Sequence, residues 1–224
     1  MQIKQLIYRH RAFTMIELIL VIMVVGILSA LALPRLQRDI RQEAADNLLS
    51  AIRYTQHLAL TDNKQRFNDA QWQRTYWQIR FTTSSGFPEN NFYTISSDTN
   101  KNGNVDKSET ALDPANGKYL YNAGGATMTI QADESPNIAI GKKYGVNAVT
   151  FSTSCGTQGA QYIGFDHFGR PHTRFLGSNL PDQASYMPAD CNITFSFVDP
   201  TLTPLIITIQ KETGYISISG QPDS

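Results

Sequence analysis

Residues 11–34 read Arg11-Ala12-Phe13-Thr14-Met15-Ile16-Glu17, then sixteen uncharged, mostly apolar residues from Leu18 to Leu33, then Pro34. From Phe13 to Leu33 the only formal charge is Glu17. A helix of that length rises about 1.5 Å per residue and reaches about 30 Å, the thickness of a bilayer's hydrocarbon core. Lys4, Arg9 and Arg11 precede it without an acid among them. Positive charge on that side predicts that the N-terminal end stays cytoplasmic. The stretch therefore reads as a membrane-inserted helix behind a short basic leader.

Glu17 is the exception inside the run. A carboxylate near a bilayer's centre costs about 2.5–3.5 kcal/mol, and less near an end. If the chain is cut between Ala12 and Phe13, the new amine of Phe13 lies one helical turn from Glu17 on the same face. The carboxylate then offsets an amine that the helix dipole disfavours, or pairs with the amine of a neighbouring subunit. An interfacial Glu without a role is the plainer alternative.

At these residues the sequence resembles the type IV pilin and type II secretion pseudopilin superfamily. That family's pattern is a basic leader, a small residue, then Phe-Thr-(Leu/Met)-(Ile/Val)-Glu opening a long apolar helix. Ala12 stands where Gly is usual, Phe13 matches the residue that becomes the N-methylated terminus, and Glu17 matches the assembly carboxylate. Gly26 and Pro34 fall where such helices loosen. The resemblance covers about the first sixty residues. It implies cleavage by prepilin peptidase, residence in the inner membrane with the remaining chain in the periplasm, and assembly with other pilin or pseudopilin subunits through the helix. A rival reading takes Ala30-Leu31-Ala32 as a signal-peptidase site that releases a soluble protein. The apolar core is long for a signal peptide, and Glu17 interrupts it.

The whole chain of 224 residues balances nineteen basic against nineteen acidic side chains. Loss of the leader removes three basic residues, leaving sixteen against nineteen. A net acidic chain has no electrostatic footprint for nucleic acid. The expected organisation is a cleaved leader over 1–12, a transmembrane and assembly helix over 13–34, its amphipathic continuation over 35–63, and a β-rich globular domain over 64–224.

After Pro34, Leu36, Ile40, Ala44, Leu48 and Ile52 recur every four residues, with Ala45, Leu49 and Ala59 near the same stripe. This is a core-facing helical face, and Thr61-Asp62-Asn63 reads as its stop. From Gln71 the period becomes two. Strands are predicted over 76–81, 91–95, 126–131, 148–151, 161–165, 192–198, 205–210 and 215–219, the last two joined as a hairpin through Lys211 to Gly214. The fold class is α+β and pilin-like: one long helix, its first half in the membrane, packed on an antiparallel sheet. Within the superfamily the domain most resembles minor pseudopilins of the GspH/FimT type. The residues that carry this are Arg53, Ala59, Ile163-Gly164-Phe165-Asp166, Gly169-Arg170-Pro171, Ile207-Thr208-Ile209 and Gly214-Tyr215-Ile216.

Residues 98–109 fit the twelve-residue EF-hand loop pattern. Side-chain oxygens fall at Asp98, Asn100, Asn102 and Asp106, Asn104 offers its carbonyl, Glu109 is placed for a bidentate contact, and Gly103 sits at the sharp turn. Calcium, a hard ion of flexible geometry, takes such carboxylate, amide and carbonyl ligands. The flanks lack the helices of an EF-hand, and Lys101 and Lys107 dilute the charge, so a weak structural Ca2+ site is the expectation, with a polar Asn-rich loop as the alternative.

Cys155 and Cys191 both lie beyond the apolar helix, where a disulfide is the default in an oxidising compartment and two core thiols the alternative. His10, His57, His167 and His172 do not share a metal-ligand spacing. Asp166 beside His167 lacks a nucleophile motif, so no catalytic residues are expected. The function that follows is a structural, minor subunit of a secretion pseudopilus. The alternative is a type IV pilus minor pilin in adhesion or DNA uptake. Against DNA capture, residues 215–224 contain neither Lys nor Arg.

Overall fold

The computed structural model describes residues 14–36, 39–125, 127–155, 161–181 and 183–221, the side chains of 30–36 excepted. It divides into two compact units, 1–39 and 40–224. The helical stretch expected as one rod is described as α1 (Met15–Leu36) and α2 (Ile40–Thr61), and Gln37 and Arg38 lie outside the described residues.

In the first unit, Thr14 starts α1. Its hydroxyl accepts the Glu17 N–H at 3.3 Å, and its carbonyl accepts the N–H groups of Glu17 and Leu18 at 3.1 and 3.2 Å. A threonine in this position satisfies donors that the first turn leaves over. Every large apolar side chain from Met15 to Leu28 is at least 46% exposed.

In the second unit, α2 buries Ala44, Ala45, Leu48, Leu49, Ala51, Ile52, Thr55 and Ala59. The spacing of three and four keeps them on one stripe. Ile40, expected in that stripe, is 36% exposed, so burial begins a turn later. The stop at Thr61–Asp62 is fixed by the next strand, because the Trp77 indole N–H donates to the Asp62 carboxylate at 2.9 Å.

The strands are β1 (Trp77–Thr82), β2 (Phe92–Ser97), β3 (Val146–Phe151), β4 (Tyr162–Phe165), β5 (Pro171–His172), β6 (Cys191–Phe197), β7 (Leu205–Ile209) and β8 (Ile216–Ile218). They form two antiparallel sheets rather than the expected one, in the orders β2-β1-β4-β5 and β3-β6-β7-β8. α2 packs on strands of both. Alternate residues face this shared interior: Ile79 and Phe81 from β1, Ile163 and Phe165 from β4, Ile193 and Phe195 from β6, Ile207 and Ile209 from β7. Phe81 and Phe195 meet edge to face across the two sheets, their centroids 5.3 Å apart. Such a pair adds about 0.5–1.5 kcal/mol beyond its area.

The strand expected at 126–131 is absent among the described residues there. Met128 and Ile130 pack against the core as their alternation suggests. Their backbone bonds go to side chains instead: the Asn90 amide oxygen accepts the Met128 N–H at 2.8 Å, and the Asn122 amide donates to the Thr129 carbonyl at 2.8 Å. Alternation without a free strand edge gives packing but no ladder.

Two short elements carried no sequence signal. One is the two-residue β5. The other is α3 (Ile140–Tyr144), pressed onto the turn at Pro88–Asn90 so closely that a Cβ on Gly141 would lie 1.7 Å from the Pro88 carbonyl oxygen. Cys155 and Cys191 form a disulfide that ties the segment after β3 to the start of β6.

Candidate functional site

Ala12 and Phe13, where processing is expected, lie outside the described residues. Glu17 sits exposed in the first turn of α1. Its side chain takes no part in the cap, which uses its backbone N–H. The apolar residues that follow are exposed on all faces, with no polar stripe from Leu18 to Leu28. A helix apolar all round needs other helices or lipid to cover it. Among the described residues no helix is long and apolar enough to cross a membrane.

The loop at 98–109 is held by bonds from its own backbone N–H groups to its side-chain oxygens. The Asp98 carboxylate accepts the N–H groups of Asn102 and Gly103 at 3.1 and 2.8 Å. The amide oxygens of Asn100 and Asn102 accept N–H groups two residues on, at 2.9 and 2.7 Å. Gly103 takes a φ of +81°, a conformation that L side chains rarely adopt. Thr110 to Leu112 then runs beside β2, where the Ala111 N–H donates to the Ile95 carbonyl at 2.9 Å and covers the edge of that sheet. Among the described residues no three His, Cys, Asp or Glu side chains gather closely enough to hold a metal ion.

Gly169, Gly214 and Ile216 meet one face of α2 at Arg53 and Gln56. The Gln56 amide donates to the carbonyls of Gly169 and Gly214 at 2.8 and 3.0 Å. Arg53 donates to the Ile216 carbonyl at 3.1 Å. A Cβ on Gly214 would meet the Gly169 carbonyl oxygen at 2.1 Å, so the β7–β8 hairpin and the turn before β5 are locked to the helix together.

Sequence reasoning missed the partner of Asp166. His167, its chain neighbour, stacks beside Phe168. His172, on β5 rather than in the turn, is fully buried, with Nε2 3.3 Å from the Asp166 carboxylate and Nδ1 2.9 Å from the Ser185 hydroxyl. Arg170 adds a salt bridge to Asp166 at 2.7 Å. The order Ser, His, Asp is that of a hydrolase triad, but Ser185 is 1% exposed. A cleft of about 350 Å³ beside the cluster is lined by Asp166 and Arg170 but by neither His172 nor Ser185. The arrangement is a buried polar node that fixes β4 to β5. No signal in the sequence spacing links Ser185 to it.

Burial pushes the Asp166 carboxyl up, and the hydrogen bonds from His172 and Arg170 outweigh it, holding the group down at about 2. A carboxylate depressed in the folded state contributes stability that is full above its unfolded value, near 3.8, and is lost as pH falls through about 2. Urea unfolding should therefore show about 2 kcal/mol of stability disappearing between pH 5 and pH 2 in the wild type but not in Asp166→Asn. Parallel pH profiles for the two proteins would refute this coupling.

The prokaryotic N-terminal methylation motif matches residues 7–33. The match supports a type IV pilin or pseudopilin, a class processed by prepilin peptidase and assembled with other pilins. No curated protein and no solved structure shows a significant match to the chain.

Proposed function

We propose that this chain is a minor pseudopilin of the GspH/FimT type that assembles into a type II secretion pseudopilus. Prepilin peptidase cuts between Ala12 and Phe13 and methylates the new amine. The subunit waits in the inner membrane with its β-rich domain in the periplasm, then enters a filament through α1, guided by Glu17. Helices of other subunits replace lipid around the apolar surface, so the transfer does not expose that surface to water. The observation that carries the reading is the coincidence of the methylation motif with a helix whose described apolar side chains are exposed all round.

The same helix would serve a type IV pilus, and crosslinking in the native cell separates the two by the subunits captured. The reading itself is tested at the terminus. Sequencing of the mature protein should begin at an N-methylated Phe13, and a chain beginning at Leu33 would show instead that signal peptidase releases a soluble protein.

A further inference from the structure

Assembly through α1 leaves the loop at 98–109 without a task. We propose that this loop is a divalent-cation site that prefers calcium to magnesium, with Glu109 as the ligand that completes it.

Glu109 is only 8% exposed. Its Oε1 accepts from the Thr99 hydroxyl at 2.8 Å and from the Asn100 N–H at 2.9 Å, which turns the carboxylate into the loop. Its Oε2 is buried and has no hydrogen-bond partner among the described residues. An orphaned carboxylate oxygen in the interior is costly, and a hard cation is the group that relieves it. Asp98, 1% exposed, and the side-chain oxygens of Asn100 and Asn102 are already held by loop N–H groups.

Asp106 is the part still to move. Its Oδ2 accepts from the Asn100 side-chain amide at 2.8 Å, and cation binding exchanges that bond for coordination. Both loop lysines are turned away from the site, Lys101 to Asp69 and Lys107 to Asp133 and Glu134. Arg74 and Arg80 grip the loop through the carbonyls of Lys101 and Gly103. Arg80 lies near enough to Asp98 to feel its charge, and a cation nearby opposes tight binding.

Amide-rich oxygen ligands on an adjustable loop suit calcium, whose geometry is flexible. Magnesium demands a near-ideal octahedron. The dissociation constant belongs in the weak range of extracellular modules, roughly 10⁻⁴–10⁻³ M or somewhat tighter.

The test is calorimetry and thermal unfolding of the full chain in detergent, stripped with chelator and titrated with calcium chloride. One site is expected, with magnesium at least tenfold weaker and Glu109→Gln at least tenfold weaker for calcium. Asp106→Asn is the second variant should Glu109→Gln not fold, with the same expected loss. Absence of both heat and a raised midpoint at 10 mM calcium overturns the site. Wild-type affinity in the folded variant removes the carboxylate's role, and equal affinity for magnesium overturns the assignment to calcium. None of these outcomes depends on whether the chain enters a filament.

Discussion

Glu17→Leu should lower incorporation of the subunit into filaments at least tenfold while leaving its level in the membrane unchanged. The expectation rests on the proposed pairing, inside an assembled filament, of the Glu17 carboxylate with the amine that cleavage would expose at Phe13. In a bundle of apolar helices, removing one partner of such a pair strands the other at a cost of about 3–5 kcal/mol. About 1.4 kcal/mol already corresponds to a tenfold change in an equilibrium. The helix itself should survive, because Thr14 caps α1 through the backbone N–H at position 17, which leucine also supplies. Glu17→Gln distinguishes charge from hydrogen bonding and should be nearly as defective. Quantitative immunoblotting of sheared filaments against membrane fractions reads the ratio directly, and an unchanged ratio for Glu17→Leu would remove the basis of the assembly mechanism.

The second large effect concerns the disulfide. Cys155 and Cys191 are separated by 36 positions and both are fully buried. On the chain-entropy account, closing a loop of this length stabilises the folded domain by roughly 4 kcal/mol. The double variant Cys155→Ser, Cys191→Ser should therefore unfold about 8–16 °C lower than the oxidised protein, since each kcal/mol shifts a domain of this size by about 2–4 °C. Wild type unfolded in reductant and refolded in it should match the variant, which separates the crosslink from the loss of packing by sulfur. The segment inside the loop contains β4 and β5, so its order depends on the crosslink more than that of β7 and β8 does. A midpoint within 2 °C of wild type would show that packing alone holds this segment.

The sequence was enough for much of what depends on neighbours a few positions away, the strand expected at 126–131 and absent among the described residues excepted. The apolar run after Glu17, the alternation from Trp77 to Phe81, the hairpin around Lys211 to Gly214 and the turn at Gly103 are local patterns that the backbone follows, whereas Trp72–Thr75, inside the stretch expected to alternate from Gln71, forms a 3-10 turn. Two cysteines beyond the helix sufficed to expect their bond, because a single pair has a single connectivity.

Tertiary structure decided everything that depends on which distant segments meet. Eight short strands do not announce their partners, so the division into two sheets is set by shared burial against α2 and by contacts such as Phe81 with Phe195. Burial chose His172 over His167 for Asp166 and brought Ser185 to the same node, although spacing favoured the adjacent histidine. The same holds in the loop, where Asp69, Asp133 and Glu134 draw two lysines away and leave one oxygen of Glu109 without a partner. Hydrogen-bond period and steric preference act along the chain, whereas desolvation acts on whatever surfaces the folded chain brings together.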